Sequence, residues 1–258
     1  MIEKLIDVGG YRLFSRLMGK GKHTVIFENA MGNDLTLWMP VQEKLADNFC
    51  TIAYDRAGLG KSEISMQKRS CYIMAKELHK MLYKLKILPP YIYVGASYGA
   101  FVIRAFSELY KNELEGIVLV EPSHEDFFVE KQKYHTEVEN KNYKKMLDYF
   151  SKQSSEGYRR EWESFASDCE YIKTLTFPRE YPVKVISSNR CSDVEKIIMQ
   201  LDEKDIELKC RLHKKWSEDN TNIEYIMTNK SGHNVLKEEP FLVIKAIKKL
   251  CKEIEVKS

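Results

Sequence analysis

The sequence predicts an α/β architecture: a largely parallel, eight-stranded sheet with helices on both faces and a helical cap inserted late in the chain. Three observations predict it. Short apolar runs alternate with stretches whose apolar residues recur at helical spacing. A Gly9-Gly10 pair separates two alternating segments near the start. One interval between successive apolar runs is far longer than a simple crossover requires.

"EKLIDV" and "YRLFSRL" flank the glycine pair and read as an antiparallel hairpin, because glycine supplies positive φ at no steric cost. Six apolar runs then read as strands: "TVIFE" (24–28), "CTIAY" (50–54), "YIYVG" (91–95), "GIVLV" (116–120), "VKVIS" (183–187) and "IEYIM" (223–227). Residues 71–86, 98–111 and 239–251 carry helical periodicity between and after them. Alternation of this kind implies parallel strands buried on both faces. The long interval is rich in Glu, Lys and Tyr and reads as several amphipathic helices. The expected organisation is a core of residues 1–122 and 182–258 with a cap of residues 123–181.

Composition bounds the function. The chain has 258 residues, 43% of them apolar, enough for a substantial core. Forty-one basic and 38 acidic side chains leave a formal charge of +3, which favours neither nucleic acid nor an anionic membrane as partner. Six widely spaced cysteines without a C-x-x-C pair suggest neither a zinc site nor a disulfide framework, so a reducing, cytoplasmic setting is expected. The opening "MIEKLIDVGGYRLF" lacks a leader pattern, and no apolar run reaches the ~18 residues of a membrane span.

The chemistry centres on "YIYVGASYGAFVIRAF". In Gly95-Ala96-Ser97-Tyr98-Gly99 the small end residues allow a tight strand-to-helix turn that presents the Ser97 hydroxyl at the carboxyl edge of the sheet. The helix that follows directs its amides and dipole at the same place. A serine needs a base to act as nucleophile. His233 follows the last strand in "TNKSGHNVLKEEP", on the side where Ser97 is expected. His124, just after a strand in "VEPSHED", is its main competitor; His23 belongs to the opposite edge, His79 and His213 to helical stretches, and His135 to the cap. "DRAGLGKS" ends like a phosphate-binding loop, but Asp55 stands where that motif needs glycine, so Asp55 and Arg56 are read as bracing a loop and Ser62 as no second nucleophile.

With these motifs in view, the chain resembles the α/β-hydrolase fold superfamily over nearly its whole length. "FENAMGNDLTLW" is similar to the family's loop after the third strand, "YDRAGLGKSE" to its D-R-x-G-x-G-x-S loop, "GASYG" to its nucleophile elbow and "SGHNVLKEEP" to its histidine loop. The resemblance implies strand order 1-2-4-3-5-6-7-8 with the cap between strands 6 and 7. It implies an oxyanion hole of two backbone amides, Met31 and Tyr98, although Asn29-Ala30 replaces the His-Gly common in relatives. It implies an acid for His233 at one of two places: Asp193, past strand 7, or Glu121, directly after strand 6.

The expected activity is that of a cofactor-independent serine hydrolase acting through a Ser-His-acid triad, without a metal, on a small ester. A carbon-carbon hydrolase, a thioesterase or a small-ligand receptor on the same fold would share every motif. Cap aromatics, among them Phe127, Phe128, Tyr134, Trp162 and Phe165, are candidates to line an acyl pocket.

Overall fold

The computed structural model describes residues 1–218 and 220–257. Its strands are β1 (Ile2–Asp7), β2 (Arg12–Met18), β3 (Thr24–Glu28), β4 (Cys50–Tyr54), β5 (Tyr91–Ala96), β6 (Leu114–Val120), β7 (Val183–Ser188) and β8 (Ile223–Thr228). They form one eight-stranded sheet in the order β1-β2-β4-β3-β5-β6-β7-β8. β1 pairs with β2, and β2 with β4, in antiparallel register; every later pairing is parallel. The two turn glycines adopt φ of +120° and +98°, as the hairpin reading requires.

The helices are α1 (Met39–Leu45), α2 (Cys71–Leu85), α3 (Gly99–Leu109), α4 (Phe127–Gln132), α5 (Glu137–Gln153), α6 (Glu156–Lys173), α7 (Glu203–Glu218), α8 (Val235–Glu238) and α9 (Pro240–Lys257). The long interval thus folds as α4 to α6 between β6 and β7. Alternate strand residues feed two cores, as the period of two dictates. Ile26 and Ile52 join α2 and α3 on one face, and Val25 and Phe27 join α1 and α9 on the other. β5 is buried at all six positions, which explains its unbroken apolar run.

Between β7 and β8 the chain forms elements whose bounds the sequence did not mark. A single π turn, Val194–Ile198, follows β7, and α7 crosses from there to β8. The buried stripe of α7 contains Ile206 and Leu208 but also Lys209 and His213, so its periodicity is interrupted by charge.

Candidate active site

Adjacent strands β5 and β6 end in the same backbone device. Ser97 adopts φ 49° and Glu121 φ 47°, the left-handed region that costs an L-residue about 1–2 kcal/mol. Neighbouring backbone holds each one there. The Ser97 N–H donates to Val120 O at 3.0 Å, and Ser97 O accepts from the amides of Ala100 and Ser123, each at 3.0 Å. The Glu121 N–H donates to Ile186 O at 2.8 Å. The elbow glycines are required by space: a Cβ at Gly95 would sit 2.5 Å from Ile103 Cδ1, and one at Gly99 2.9 Å from Glu28 O. Strain of this kind persists where the surroundings over-determine it, and it concentrates at functional sites.

The buried Glu121 carboxylate collects three donors. Ser188 N–H reaches Oε1 at 2.5 Å, while Lys209 Nζ at 2.6 Å and His233 Nδ1 at 3.0 Å share Oε2. Burial alone would push its pKa up, but the Lys209 ammonium and the contacts with His233 hold it down at about 2. The anion holds Lys209 above the ordinary ammonium value in turn, against burial. With Nδ1–H donating to a carboxylate, the neutral imidazole of His233 keeps Nε2 as its acceptor.

Asp193, the alternative acid, is exposed, and among the described residues no hydrogen bond joins it to His233. Two residues on, the buried Glu195 turns inward and stands 3.7 Å from Lys209 Nζ. The other histidines are otherwise engaged. His213 receives Ser187 Oγ at Nδ1 (2.6 Å) and donates from Nε2 to Pro122 O (2.7 Å), with burial pushing its pKa down to about 3. His124 stacks on Trp216 and accepts the Asp126 N–H at Nδ1 (3.1 Å), so its neutral form carries the proton on Nε2 and offers no acceptor there. His23 pairs with Glu115 and Glu255, and His79 with Glu113.

Ser97, His233, Glu121, Met31 and Tyr98 all line one cavity of about 190 Å³. Its walls from α4, α5 and α6 are mostly aromatic: Phe127, Phe128, Tyr143, Tyr158, Trp162 and Phe165. Tyr134 stands apart, exposed, accepting a hydrogen bond from Arg211 (2.9 Å). The Ser62 hydroxyl is engaged in loop bracing, donating to Asp55 O at 2.6 Å and accepting the Phe14 N–H at 2.8 Å. The Asp55 carboxylate caps the amides of Leu35 and Lys61 (2.7 and 2.8 Å). His135, Asp202 and Asp205 come close enough to hold a cation, but Lys131 Nζ already lies 2.6 Å from Asp205 and 3.1 Å from His135. The ammonium thus already pairs with two of the three groups.

Sequence reasoning missed Lys209 and Glu161. Both sit on the buried faces of their helices among apolar neighbours, Lys209 with Ile206 and Leu208, Glu161 with Phe165 and Ile172. A charge at such a position implies a buried partner, and that was the available signal.

Among curated proteins, the chain is 35% identical over 105 residues to protein YqjL of Bacillus subtilis, covering 41% of this chain and 42% of that one. It is 34% identical over 92 residues to an AB hydrolase superfamily protein of Gibberella zeae, covering 34% and 29%. These matches span less than half the length of either relative. Solved structures match across the whole chain. A thermophilic esterase from Thermogutta terrifontis aligns with TM-score 0.64 at 16% identity over 98% of both chains. The enol-lactonase from Burkholderia xenovorans LB400 aligns with TM-score 0.64 at 18% identity, over 96% of this chain and all (100%) of its own. At such identities the likeness speaks for the fold. No helix among the described residues is long and apolar enough to cross a membrane. Residues 23–177 match the family model described as the alpha/beta hydrolase fold, and the chain belongs to that family.

Proposed function

We propose that this protein is a cofactor-independent serine hydrolase that cleaves a small carboxylic ester through an acyl-enzyme. The observation that carries the reading is the Glu121–His233 contact of 3.0 Å beside a serine held at a left-handed elbow in the same cavity. Ser97 Oγ attacks the ester carbonyl while His233 Nε2 takes its proton, and the Glu121 carboxylate stabilises the imidazolium. The amides of Met31 and Tyr98 hold the tetrahedral oxyanion. Collapse expels the alcohol, protonated by His233, and leaves an ester at Ser97. Water, deprotonated by His233, then releases the acid and restores the hydroxyl.

Glu121 rather than Asp193 is the acid in this reading. Residues 123–181 act as the cap, and their aromatic wall selects a compact, uncharged acyl group. An esterase and an enol-lactonase among the structural neighbours are in keeping with ester chemistry. Six free cysteines support a reducing compartment such as the cytoplasm.

A fluorophosphonate probe together with aryl esters of rising acyl length tests the proposal. The probe should label Ser97, and Ser97→Ala should abolish labelling and turnover. Labelling at Ser62 would overturn the nucleophile. Glu121→Gln should lower kcat by up to about 10⁴-fold while Asp193→Asn keeps wild-type turnover. The reverse pattern would move the acid to Asp193. Tight ligand binding without turnover would instead favour a receptor.

A further inference from the structure

We propose that Glu161, on α6 of the cap, is a positioning residue that aims the Met31 amide, so that the oxyanion hole is competent only with this cap helix docked. The inference rests on the serine-hydrolase reading and deepens it. It stands on the two peptide groups that flank Met31.

The first is the planar trans unit formed by Ala30 C=O and Met31 N–H, whose C=O and N–H bonds point in opposite directions. Arg56 Nη2 holds Ala30 O at 2.9 Å, and Nη1 holds Asn29 O at 2.7 Å. Fixing the carbonyl on the Arg56 side directs the Met31 N–H the opposite way. The second unit is Met31 C=O and Gly32 N–H. Here the Glu161 Oε2 accepts the Gly32 N–H at 2.9 Å, while Asn33 Nδ2 donates to Met31 O at 3.0 Å.

Glu161 therefore fixes one plane directly and the other through Arg56. Its Oε1 takes Arg56 Nε at 2.6 Å and its Oε2 takes Nη2 at 2.8 Å, a bidentate fork in which both side chains are fully buried. Glu28 Oε1 holds Arg56 Nη1 at 2.7 Å on the core side. The other proposed oxyanion donor needs no such help. The peptide carrying the Tyr98 N–H is fixed by core amides, those of Ala100 and Ser123, on Ser97 O. One donor is thus set by the sheet and its elbow, the other by the cap.

Glu161→Gln is the informative change. An amide offers one acceptor oxygen where three donors now meet two, so its NH2 must face either Arg56 or the Gly32 N–H. Arg56 keeps Glu28 as counter-ion. We expect kcat for an aryl ester to fall about 10- to 100-fold, since removing one oxyanion donor outright costs about 10²–10³. KM should change less than about twofold, and the rate of fluorophosphonate labelling should fall with kcat. Glu163→Gln, on the exposed face of the same helix, should leave all three unchanged. Labelling stoichiometry counts folded sites, so a variant that folds poorly still reports a rate per site, and Arg56→Lys provides a second break in the same fork.

If wild type is labelled at Ser97 and the Glu161→Gln sites react at the wild-type rate, the positioning role is overturned and the hydrolase reading stands. If wild type is not labelled at Ser97, the hydrolase reading fails and this inference falls with it.

Discussion

Helices α5 and α6 lie side by side in the proposed cap, with 17 and 18 residues and similarly charged sequences, yet they are fastened to the molecule by different physics. α5 buries little beyond Ser151 and is organised from within, by a capping box in which Thr136 and Glu139 satisfy each other's groups. Its Tyr143 leans on Phe128 and its Leu147 faces the cavity. α6 is stitched to the core. Glu161 takes Arg56 and the Gly32 amide; Asp168 takes the Cys71 amide (3.2 Å) and the Tyr98 hydroxyl (2.6 Å); Arg160 reaches the carbonyls of Ser65 and Gln67. Gly157 packs so closely on the core that a Cβ there would meet Gly58 O at 2.3 Å. A cap described as one insertion is thus two parts: a cover built on side-chain contacts and a strut that shares the core's buried polar network.

The largest effect should come from excision. Replacing residues 136–154 with a short flexible linker should preserve a cooperative thermal melt, because the lost contacts lie at the surface and the cavity rim. Extending the cut through residue 173 should abolish it, because Arg56 would be left buried with one of its two carboxylate partners gone. Circular dichroism melts decide the matter, and equal melts for the two deletions would erase the distinction.

Single carboxylates give a finer comparison. Removing one partner of a buried ion pair costs about 3–5 kcal/mol, so Glu161→Ala should fall near that range in urea unfolding. Glu139→Ala should cost far less, since it removes only the exposed half of a capping box. A third comparison concerns the cavity wall. Leu147→Ala on α5 enlarges the space beside the acyl group, and it should shift the ester optimum toward longer chains, with changes in kcat/KM of about 10-fold.

The smallest effects are opposite slopes in pH. Glu139 is held below the ordinary value of 4.5 by bonds from the Thr136 amide and hydroxyl. It therefore contributes stability above pH 4.5 that is lost as pH falls through its folded value. Asp168 is pushed above its ordinary 3.8, chiefly by burial. Its contribution is present below pH 3.8 and fades as pH rises through its folded value. Measured as Tm relative to wild type, Glu139→Gln should look worse as pH rises from about 3.5 to 6, and Asp168→Asn should look better. Parallel slopes would contradict the contrast between an exposed and a buried acid.

Much of the fold was legible because its signals are local. Apolar runs place the strands to within a residue or two, Gly9-Gly10 announces the hairpin, and Gly95 and Gly99 mark a turn where a side chain would collide. Glu121 carries no such mark. It adopts the same left-handed conformation as Ser97 without flanking glycines, so the device at the end of β6 could not be read from residue types. Lys209, Glu161 and Asp168 gave only a weak signal, a charge on a helix face that also carries apolar residues, and charged residues on helices are usually solvated.

The sequence by itself determined the layered α/β architecture, the presentation of Ser97 at the strand-to-helix turn and the place of His233 after the last strand, because periodicity, glycine sterics and strand polarity act over a few residues. Only the tertiary structure decided which carboxylate stands beside His233 and which helix touches the loop bearing Met31. Glu121 and His233 are 112 positions apart, and Gly32 and Glu161 are 129 apart. A buried charge is stable only where distant groups converge to replace its water, and that convergence belongs to the folded chain rather than to any stretch of sequence.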